Sequence, residues 1–125
     1  MTPRIMFVDD EQSVLRSLQR NLAIDFDVTV AHSAAEAQTL LGGPGKFDVI
    51  VTDVMMPGFN GLDFIEVTAP RFPETNFIVL TGTSDGATCE RAESMPAVFR
   101  VLNKPCSRDQ IVAAINDSVA QLARL

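Results

Sequence analysis

Short apolar runs typical of buried β-strands alternate along this chain with stretches whose apolar residues repeat at helical spacing. The clearest run is Val49–Asp53, where continuous β-branched residues predict a strand buried on both faces. Four further strands are predicted at residues 4–8, 27–31, 76–80 and 98–102. Helix signals stand between and after the strands, so the strands should lie parallel in one sheet that is covered on both faces.

Five helices are predicted from the spacing of apolar residues and from residues that begin helices. The apolar face of the first helix consists of Val14, Leu15, Leu18 and Leu22. The middle three helices are predicted over residues 34–41, 62–69 and 87–95. Ser33 and Glu36 form a capping box for the second helix, and Ser107 begins the fifth. The apolar face of the fifth helix consists of Ile111, Ile115, Val119 and Leu122.

This order of elements predicts an α/β fold, a flavodoxin-like (βα)5 doubly wound parallel sheet with strand order 2-1-3-4-5. We see no internal repeat, low-complexity tract or linker, so we expect one domain over residues 1–125. In this strand order the carboxyl ends of strands 1 and 3 are neighbours, at the place where open α/β sheets bind their ligands.

The composition argues against several classes of function. The net charge is −6, whereas a nucleic-acid surface needs clustered Lys and Arg, so we expect no nucleic-acid binding by this domain. No apolar run approaches the roughly 20 residues that cross a bilayer, and the first residues show no signal-peptide pattern. Cys89 and Cys106 lack metal-binding spacing and suggest a reducing, cytoplasmic setting. His32 is the only histidine, which leaves Ser-His-Asp catalysis unsupported.

Polar residues follow four of the predicted strands at the point where each strand ends. Strand 1 is followed by Asp9 and Asp10, and strand 3 ends at Asp53. Strand 4 leads into Thr81, and strand 5 leads into Lys104. Because these strands are neighbours in the predicted order, their ends meet at one edge of the sheet. The sequence therefore predicts a site with three carboxylates, one hydroxyl and one amine.

Three carboxylates within a few ångström repel one another, and a hard divalent cation relieves that repulsion. All-oxygen ligands suit Mg²⁺, so we predict a Mg²⁺ site formed by Asp9, Asp10 and Asp53, with the backbone carbonyl of Met55 as a further ligand. Asp53 can then act as a nucleophile toward phosphorus and form an acyl phosphate. The nearby lysine and threonine would contact the phosphoryl oxygens.

Each of these residues taken alone has a plainer interpretation. Asp9 and Asp10 can simply favour the N-terminus of the first helix, and Asp53 can cap the loop that follows it. Thr81 is a common type of turn residue, and Lys104 can be a solvated surface charge. It is their joint arrangement at one sheet edge that favours chemistry.

Five stretches of the sequence match a known family in order and in spacing. They are residues 7–11 (FVDDE), 48–53 (DVIVTD), 56–61 (MPGFNG), 80–82 (LTG) and 103–105 (NKP). Along essentially its whole length the chain resembles the CheY-like receiver domain of two-component response regulators. The resemblance implies a cytoplasmic signalling switch that catalyses its own phosphorylation and slow dephosphorylation, and not a metabolic enzyme.

The resemblance implies a role for each carboxylate of the predicted site. Asp53 would accept a phosphoryl group from a sensor histidine kinase or a phosphotransfer protein. Asp10 would bind Mg²⁺ directly, with Asp9 alongside it, often through water. Asp53 and the carbonyl of Met55 would be the other protein ligands of the metal.

The resemblance also implies how the phosphate would be sensed. Thr81 would be the switch hydroxyl, and Lys104 would contact the phosphate ahead of a cis peptide bond to Pro105. Phosphorylation would then alter the surface of helix 4, strand 5 and helix 5. The implied partners are an output domain or effector protein, or a second copy of the chain bound through that surface.

One position departs from the family pattern. Receivers usually carry Tyr or Phe three residues before the lysine, and this chain has Val101 there. Phe99 stands two residues earlier, and strand alternation predicts that it shares the face of Val101 at a different depth. The usual coupling of threonine and aromatic ring is therefore in question. Either a smaller side chain reports the switch or the domain signals by another route.

Two other functions remain open from the sequence. One is a phosphate-independent protein-interaction module that keeps the receiver fold. The other is a phosphatase with an aspartyl-phosphate intermediate, of the haloacid-dehalogenase type. Such hydrolases place a second Asp two residues after the nucleophile, and Met55 at that position argues against acid–base turnover.

Overall fold

The structure is a computed structural model that describes residues 2–56, 58–82 and 86–123, with the backbone alone at 56, 59, 122 and 123. The main sheet has five parallel strands in the order β2-β1-β3-β4-β5. They are β1 (Arg4–Val8), β2 (Asp27–Ala31), β3 (Val49–Asp53), β4 (Asn76–Thr81) and β5 (Val98–Asn103). The predicted flavodoxin-like fold and strand order are confirmed.

Five α-helices alternate with these strands. They are α1 (Gln12–Leu22), α2 (Ala34–Leu41), α3 (Gly61–Thr68), α4 (Gly86–Ser94) and α5 (Arg108–Ala123). Helix α3 ends one residue earlier than predicted and passes into a 3₁₀ turn over Ala69–Arg71, since Pro70 is tolerated at the start of a new turn. Helix α4 begins and ends one residue before its predicted limits. The side chain of Leu122, predicted to face inward, lies outside the described residues.

The helix starts show which capping predictions hold. Ser33 accepts a hydrogen bond from the backbone N–H of Glu36 at 3.1 Å, as predicted. The Glu36 carboxylate, however, accepts from the backbone N–H of His32 at 3.0 Å, so the capping box is completed one residue earlier than expected. Ser107 and Gln110 form a reciprocal capping box for α5, with distances of 3.1 and 2.9 Å.

The sheet separates two layers of hydrophobic core. Helices α2, α3 and α4 cover one face, where Phe64 of α3 meets Phe77 of β4 edge to face at 6.4 Å between ring centroids. Helices α1 and α5 cover the other face, where Leu15 and Ile115 pack against β1, β3 and β4. Both faces of β3 are therefore buried, which is why its sequence is continuously β-branched up to Asp53.

Strand β5 contains an irregularity that the sequence did not reveal. Its register pairs Phe77 with Val98 and Ile78 with Arg100, so Phe99 is the extra residue of a β-bulge. The regular alternation from which Phe99 and Val101 were expected to share a face is therefore interrupted, and that expectation stays a prediction. Val101 packs against the core layer under α4, while the guanidinium of Arg100 lies 5.1 Å from the Phe99 ring centroid.

Candidate functional site

The carboxyl ends of the central strands bring three acidic side chains together. Asp9 and Asp10 follow β1 directly, and Asp53 is the last residue of β3, the neighbouring strand. One carboxylate oxygen from each residue can be chosen so that all three lie within 4.8 Å of one another. This is the convergence that the strand order predicted, and three oxygen donors at this spacing could hold a metal ion.

Lys104 joins the acidic cluster from the end of β5. Its Nζ donates to Asp9 Oδ2 at 3.3 Å and lies 3.2 Å from Asp53 Oδ2. Its backbone N–H donates to the carbonyl of Thr81 at 2.8 Å, which ties the end of β5 to the end of β4. The Lys104–Pro105 peptide bond is cis, as the family resemblance implied.

The three carboxylates differ in how they are held. Asp9 is only 3% exposed, and its Oδ1 accepts from the backbone N–H of Glu11 at 3.0 Å. Since Lys104 contacts the other oxygen of Asp9, both oxygens of that carboxylate are engaged. Asp10 is exposed, and Asp53 is half-buried. Asp10 is therefore the carboxylate most open to a ligand arriving from solvent.

Burial sets the electrostatics of Asp53. Burial is the largest single effect and raises the pKa of the Asp53 carboxyl group, and the charge of Asp9 raises that pKa further; the Lys104 ammonium opposes both without reversing the shift. For Lys104, burial lowers the pKa, but Asp53 and Asp9 together bring it above its ordinary value. One protonated amine thus faces carboxylates that it cannot fully neutralise.

Thr81 and Met55, the other predicted site residues, lie at the same carboxyl edge of the sheet. The register pairs Asp53 with Leu80, so Thr81 stands one residue further along β4, where it is 1% exposed. Met55 follows Asp53 by two residues, is 69% exposed and pairs with Asn60 in a two-residue antiparallel ladder. The roles of the Thr81 hydroxyl and the Met55 carbonyl stay predictions.

Sequence reasoning missed the groups that hold the backbone at Asp53. The hydroxyl of the fully buried Thr52 donates to the carbonyl of Asp53 at 2.9 Å. The N–H of Gly61, the first residue of α3, donates to the carbonyl of Val54 at 2.7 Å. In the sequence, Thr52 looks like one more β-branched residue of the strand, so no local signal distinguishes it from its neighbours.

The chain matches the response regulator receiver domain family over residues 5–116. The chain belongs to this family. It is therefore a receiver domain, a signalling module of two-component systems and not a classical enzyme. Receiver domains of response regulators work with histidine kinases and output domains.

Similar proteins share the whole of this domain. The hydrogenase transcriptional regulatory protein HoxA of Cupriavidus necator is 30% identical over 115 residues, which cover 92% of this chain and 24% of HoxA. The crystal structure of an adenylate cyclase from Rhodopirellula baltica has a TM-score of 0.93 and 39% identity, and the match covers 99% of this chain and 92% of that one. The receiver domain of an HD domain-containing protein from Pseudomonas fluorescens matches over the full length of both chains, with a TM-score of 0.92 and 23% identity.

The chain spans about a quarter of the length of HoxA. Within the described residues, no helix is long and apolar enough to cross a membrane.

Proposed function

We propose that this receiver domain accepts a phosphoryl group on Asp53, in a Mg²⁺-dependent reaction, from a histidine kinase or a phosphotransfer protein. The observation that carries the proposal is the approach of Lys104 Nζ to within 3.2 Å of Asp53 Oδ2, beside two further carboxylates. A half-buried amine and an acidic cluster around one partly accessible carboxylate suit the transfer of an anionic group.

The carboxylates divide into two roles in this proposal. Asp10 is exposed and would bind Mg²⁺ directly, together with Asp53 and the backbone carbonyl of Met55. Asp9 has both oxygens engaged by Lys104 and by the N–H of Glu11, so it would act on the metal through water. When bound, Mg²⁺ would offset the repulsion among the carboxylates and attract the oxygens of the phosphoryl donor.

In the transfer step a carboxylate oxygen of Asp53 attacks phosphorus. The new P–O bond forms as the P–N bond of the donor phosphohistidine breaks, and the imidazole nitrogen keeps the electron pair. Lys104 would then exchange its contact with Asp53 for a contact with the phosphoryl oxygens. The hydroxyl of Thr81 would turn toward the same oxygens. The only reactions that this domain would catalyse are its own phosphorylation and slow dephosphorylation.

The surroundings of the site leave room for the donor protein. A cavity of about 540 Å³ opens beside Lys104, lined by apolar side chains of α1 and α5 and by Glu11 at the start of α1. Val14, Leu18 and Ile111 are its apolar walls. A helix of the kinase or phosphotransfer protein could place an apolar side chain there while its phosphohistidine reaches Asp53.

The output would be controlled through the surface of α4, β5 and α5, by an attached output domain, an effector protein or a second copy of the chain. The names of similar proteins, a transcriptional regulator and an adenylate cyclase, point to different outputs, so the receiver does not specify one.

We treat residues 1–125 as one receiver domain. We place it in the cytoplasm, a reducing compartment that suits its two free cysteines.

A phosphate-independent interaction module is the second candidate. Val101 favours this module, because a small side chain stands where receivers usually carry an aromatic ring whose movement is coupled to that of the threonine. The acidic cluster and Lys104 favour phosphorylation, since an interaction module needs no such concentration of charge at a strand end.

Intact-protein mass spectrometry after incubation with acetyl phosphate and Mg²⁺ distinguishes the two. We expect one phosphoryl adduct on the native chain and none on Asp53→Asn, because the amide is a poor nucleophile. Asp63→Asn is the matched control, since it makes the same charge change on the exposed face of α3 and should keep the adduct. If the native chain gains no adduct, the interaction module becomes the better proposal.

A further inference from the structure

We infer that Gly61 is a positioning residue for Asp53, acting together with Thr52. The bare Cα of Gly61 and the hydroxyl of Thr52 lie against the backbone of Asp53 and fix where its carboxylate stands. Neither residue is among the proposed ligands of the metal or of the phosphoryl group. It relies on the proposed phosphorylation for only one of the three measurements below.

The space beside Gly61 is filled by the backbone of Asp53. A Cβ atom at position 61 would overlap the Asp53 carbonyl oxygen and lie 3.0 Å from its carbonyl carbon and 3.1 Å from Val54 Cα. Gly61 does not have a positive φ, in contrast to Gly58 with φ of +72°. The backbone conformation at position 61 is therefore open to any residue, and what the site requires is the missing side chain.

The helix side of this contact is firmly held. The N–H of Gly61 donates to the carbonyl of Val54 at 2.7 Å, and Asn60 caps α3 by accepting from the N–H of Leu62 at 2.7 Å. Helix α3 is also anchored by Leu62, Phe64 and Ile65, each at most 1% exposed. A methyl group at position 61 would therefore displace the Asp53–Val54 backbone in preference to the helix.

The carbonyl of Asp53 is also held by Thr52. The Thr52 hydroxyl is fully buried and donates to that carbonyl oxygen at 2.9 Å. The backbone between β3 and the Met55 ladder is thus held by two hydrogen bonds, from Thr52 and from Gly61, and by the steric contact with Gly61. The Asp53 side chain starts from this fixed backbone and reaches Lys104 at 3.2 Å.

Small displacements matter at such a site. A shift of about 1 Å in a reacting group can slow a reaction by roughly a hundredfold. Movement of Asp53 would also change its separation from Asp9 and Asp10, and with it the affinity for a cation. The two residues should therefore affect phosphorylation and Mg²⁺ binding together, although they lie outside both sets of ligands.

The main test is Gly61→Ala with Gly86→Ala as its control. Gly86 is the first residue of α4 and has nothing within 4 Å of an added Cβ. We expect Gly61→Ala to slow adduct formation with acetyl phosphate at least tenfold and to weaken Mg²⁺ binding at least fivefold. Calorimetry suits the Mg²⁺ titration, because the chain has no Trp or Tyr for fluorescence. Gly86→Ala should match the native chain in both measurements.

Thr52→Val keeps the inference testable if Gly61→Ala does not fold. Valine has the shape of threonine without the hydroxyl, and we expect a threefold or greater loss of both Mg²⁺ affinity and adduct formation. A third measurement needs neither metal nor phosphate. In metal-free protein, the NMR resonances of the Asp53 carbonyl and the Val54 amide should shift in each folded variant and stay unchanged in Gly86→Ala.

The outcomes separate this inference from the proposed function. If the native chain takes no phosphoryl group, the proposed function fails, and Mg²⁺ affinity and the NMR shifts still decide the role of Gly61 and Thr52. Native Mg²⁺ affinity and unshifted resonances in the folded variants would overturn the inference. Thermal melting of each variant shows whether a loss reflects unfolding or displacement of Asp53.

Discussion

Replacing Asp53 by asparagine should make this domain more stable when no divalent cation is present. The carboxylate of Asp53 is partly buried, faces two other carboxylates and has one amine to balance them. Asparagine keeps the size of the side chain and removes the charge. We therefore expect Asp53→Asn to raise the free energy of unfolding, although the substitution abolishes the proposed acceptor.

The size of the effect follows from the distances. With an effective dielectric constant of about 20, the attraction of Asp53 to Lys104 at 3.2 Å is about 5 kcal/mol. At the outer limit of 4.8 Å, the repulsion from each of the other two carboxylates is about 3.5 kcal/mol. The two repulsions exceed the attraction by about 2 kcal/mol, and the burial of Asp53 adds to the imbalance. Solvent screening at the exposed Asp10 reduces it, so we expect a net gain of about 1–2 kcal/mol.

Thermal melting by circular dichroism at pH 7 in EDTA measures this gain. For a domain of this size, the expected rise in Tm is about 3–8 °C. Asp63→Asn is the control, because it changes the net charge equally but breaks an exposed ion pair with Arg91. Its Tm should stay the same or fall slightly. A native chain as stable as Asp53→Asn, or more stable, would refute the reasoning from charge repulsion.

The pH dependence provides a second check on the same prediction. The pKa of Asp53 is raised in the folded state, chiefly by burial, so between the ordinary value of 3.8 and the folded value the folded chain binds more protons than the unfolded chain. The native chain therefore loses stability, relative to Asp53→Asn, as pH rises through that window. The advantage of the variant should be largest at neutral pH and vanish below pH 3.8. An advantage that persists unchanged at pH 3 would contradict this assignment.

Two further predictions concern the metal ligands and the core. Asp10→Ala should weaken Mg²⁺ binding at least tenfold in calorimetry, because it removes the most accessible carboxylate, and an unchanged affinity would exclude Asp10 as a ligand. Phe64→Ala should lower the free energy of unfolding in urea by about 3–5 kcal/mol, since Phe64 is fully buried and packs against Phe77. A loss of unfolding free energy below about 1 kcal/mol would show that the core layer under α3 can collapse into the space left by the Phe64 side chain.

The sequence carried enough information to predict the strands and the convergence at their ends. A β-branched run such as Val49–Asp53 is typical of a strand buried on both faces, and the last residue of such a strand falls at the sheet edge. Parallel connectivity then brings Asp9, Asp10 and Asp53 together, because few strand orders are possible for five alternating units. Residues that act through position along a strand were therefore predictable.

Residues whose roles depend on contacts between backbone segments far apart in the sequence were not predictable. The bulge at Phe99 depends on how β5 meets β4, and residues 98–102 look like an ordinary strand. The need for glycine at position 61 arises from the backbone of Asp53, eight positions earlier, and not from a turn that requires positive φ. Propensity and periodicity describe neighbours along the chain, so neither could reveal these contacts.

The attachment of α4 bears on how a receiver without the usual aromatic ring can signal. Ala92 is the only buried residue of this helix, and Arg91 reaches Asp63 and Glu66 of α3 through exposed ion pairs. Exposed pairs of this kind contribute about 1 kcal/mol or less, and burial of one alanine adds little more. A helix with one buried side chain and exposed ion pairs can shift at small free-energy cost, so the proposed phosphorylation of Asp53 would move it through the end of β4. Val101 packs in the core layer beneath α4, so we expect this contact to carry the movement that an aromatic ring carries elsewhere.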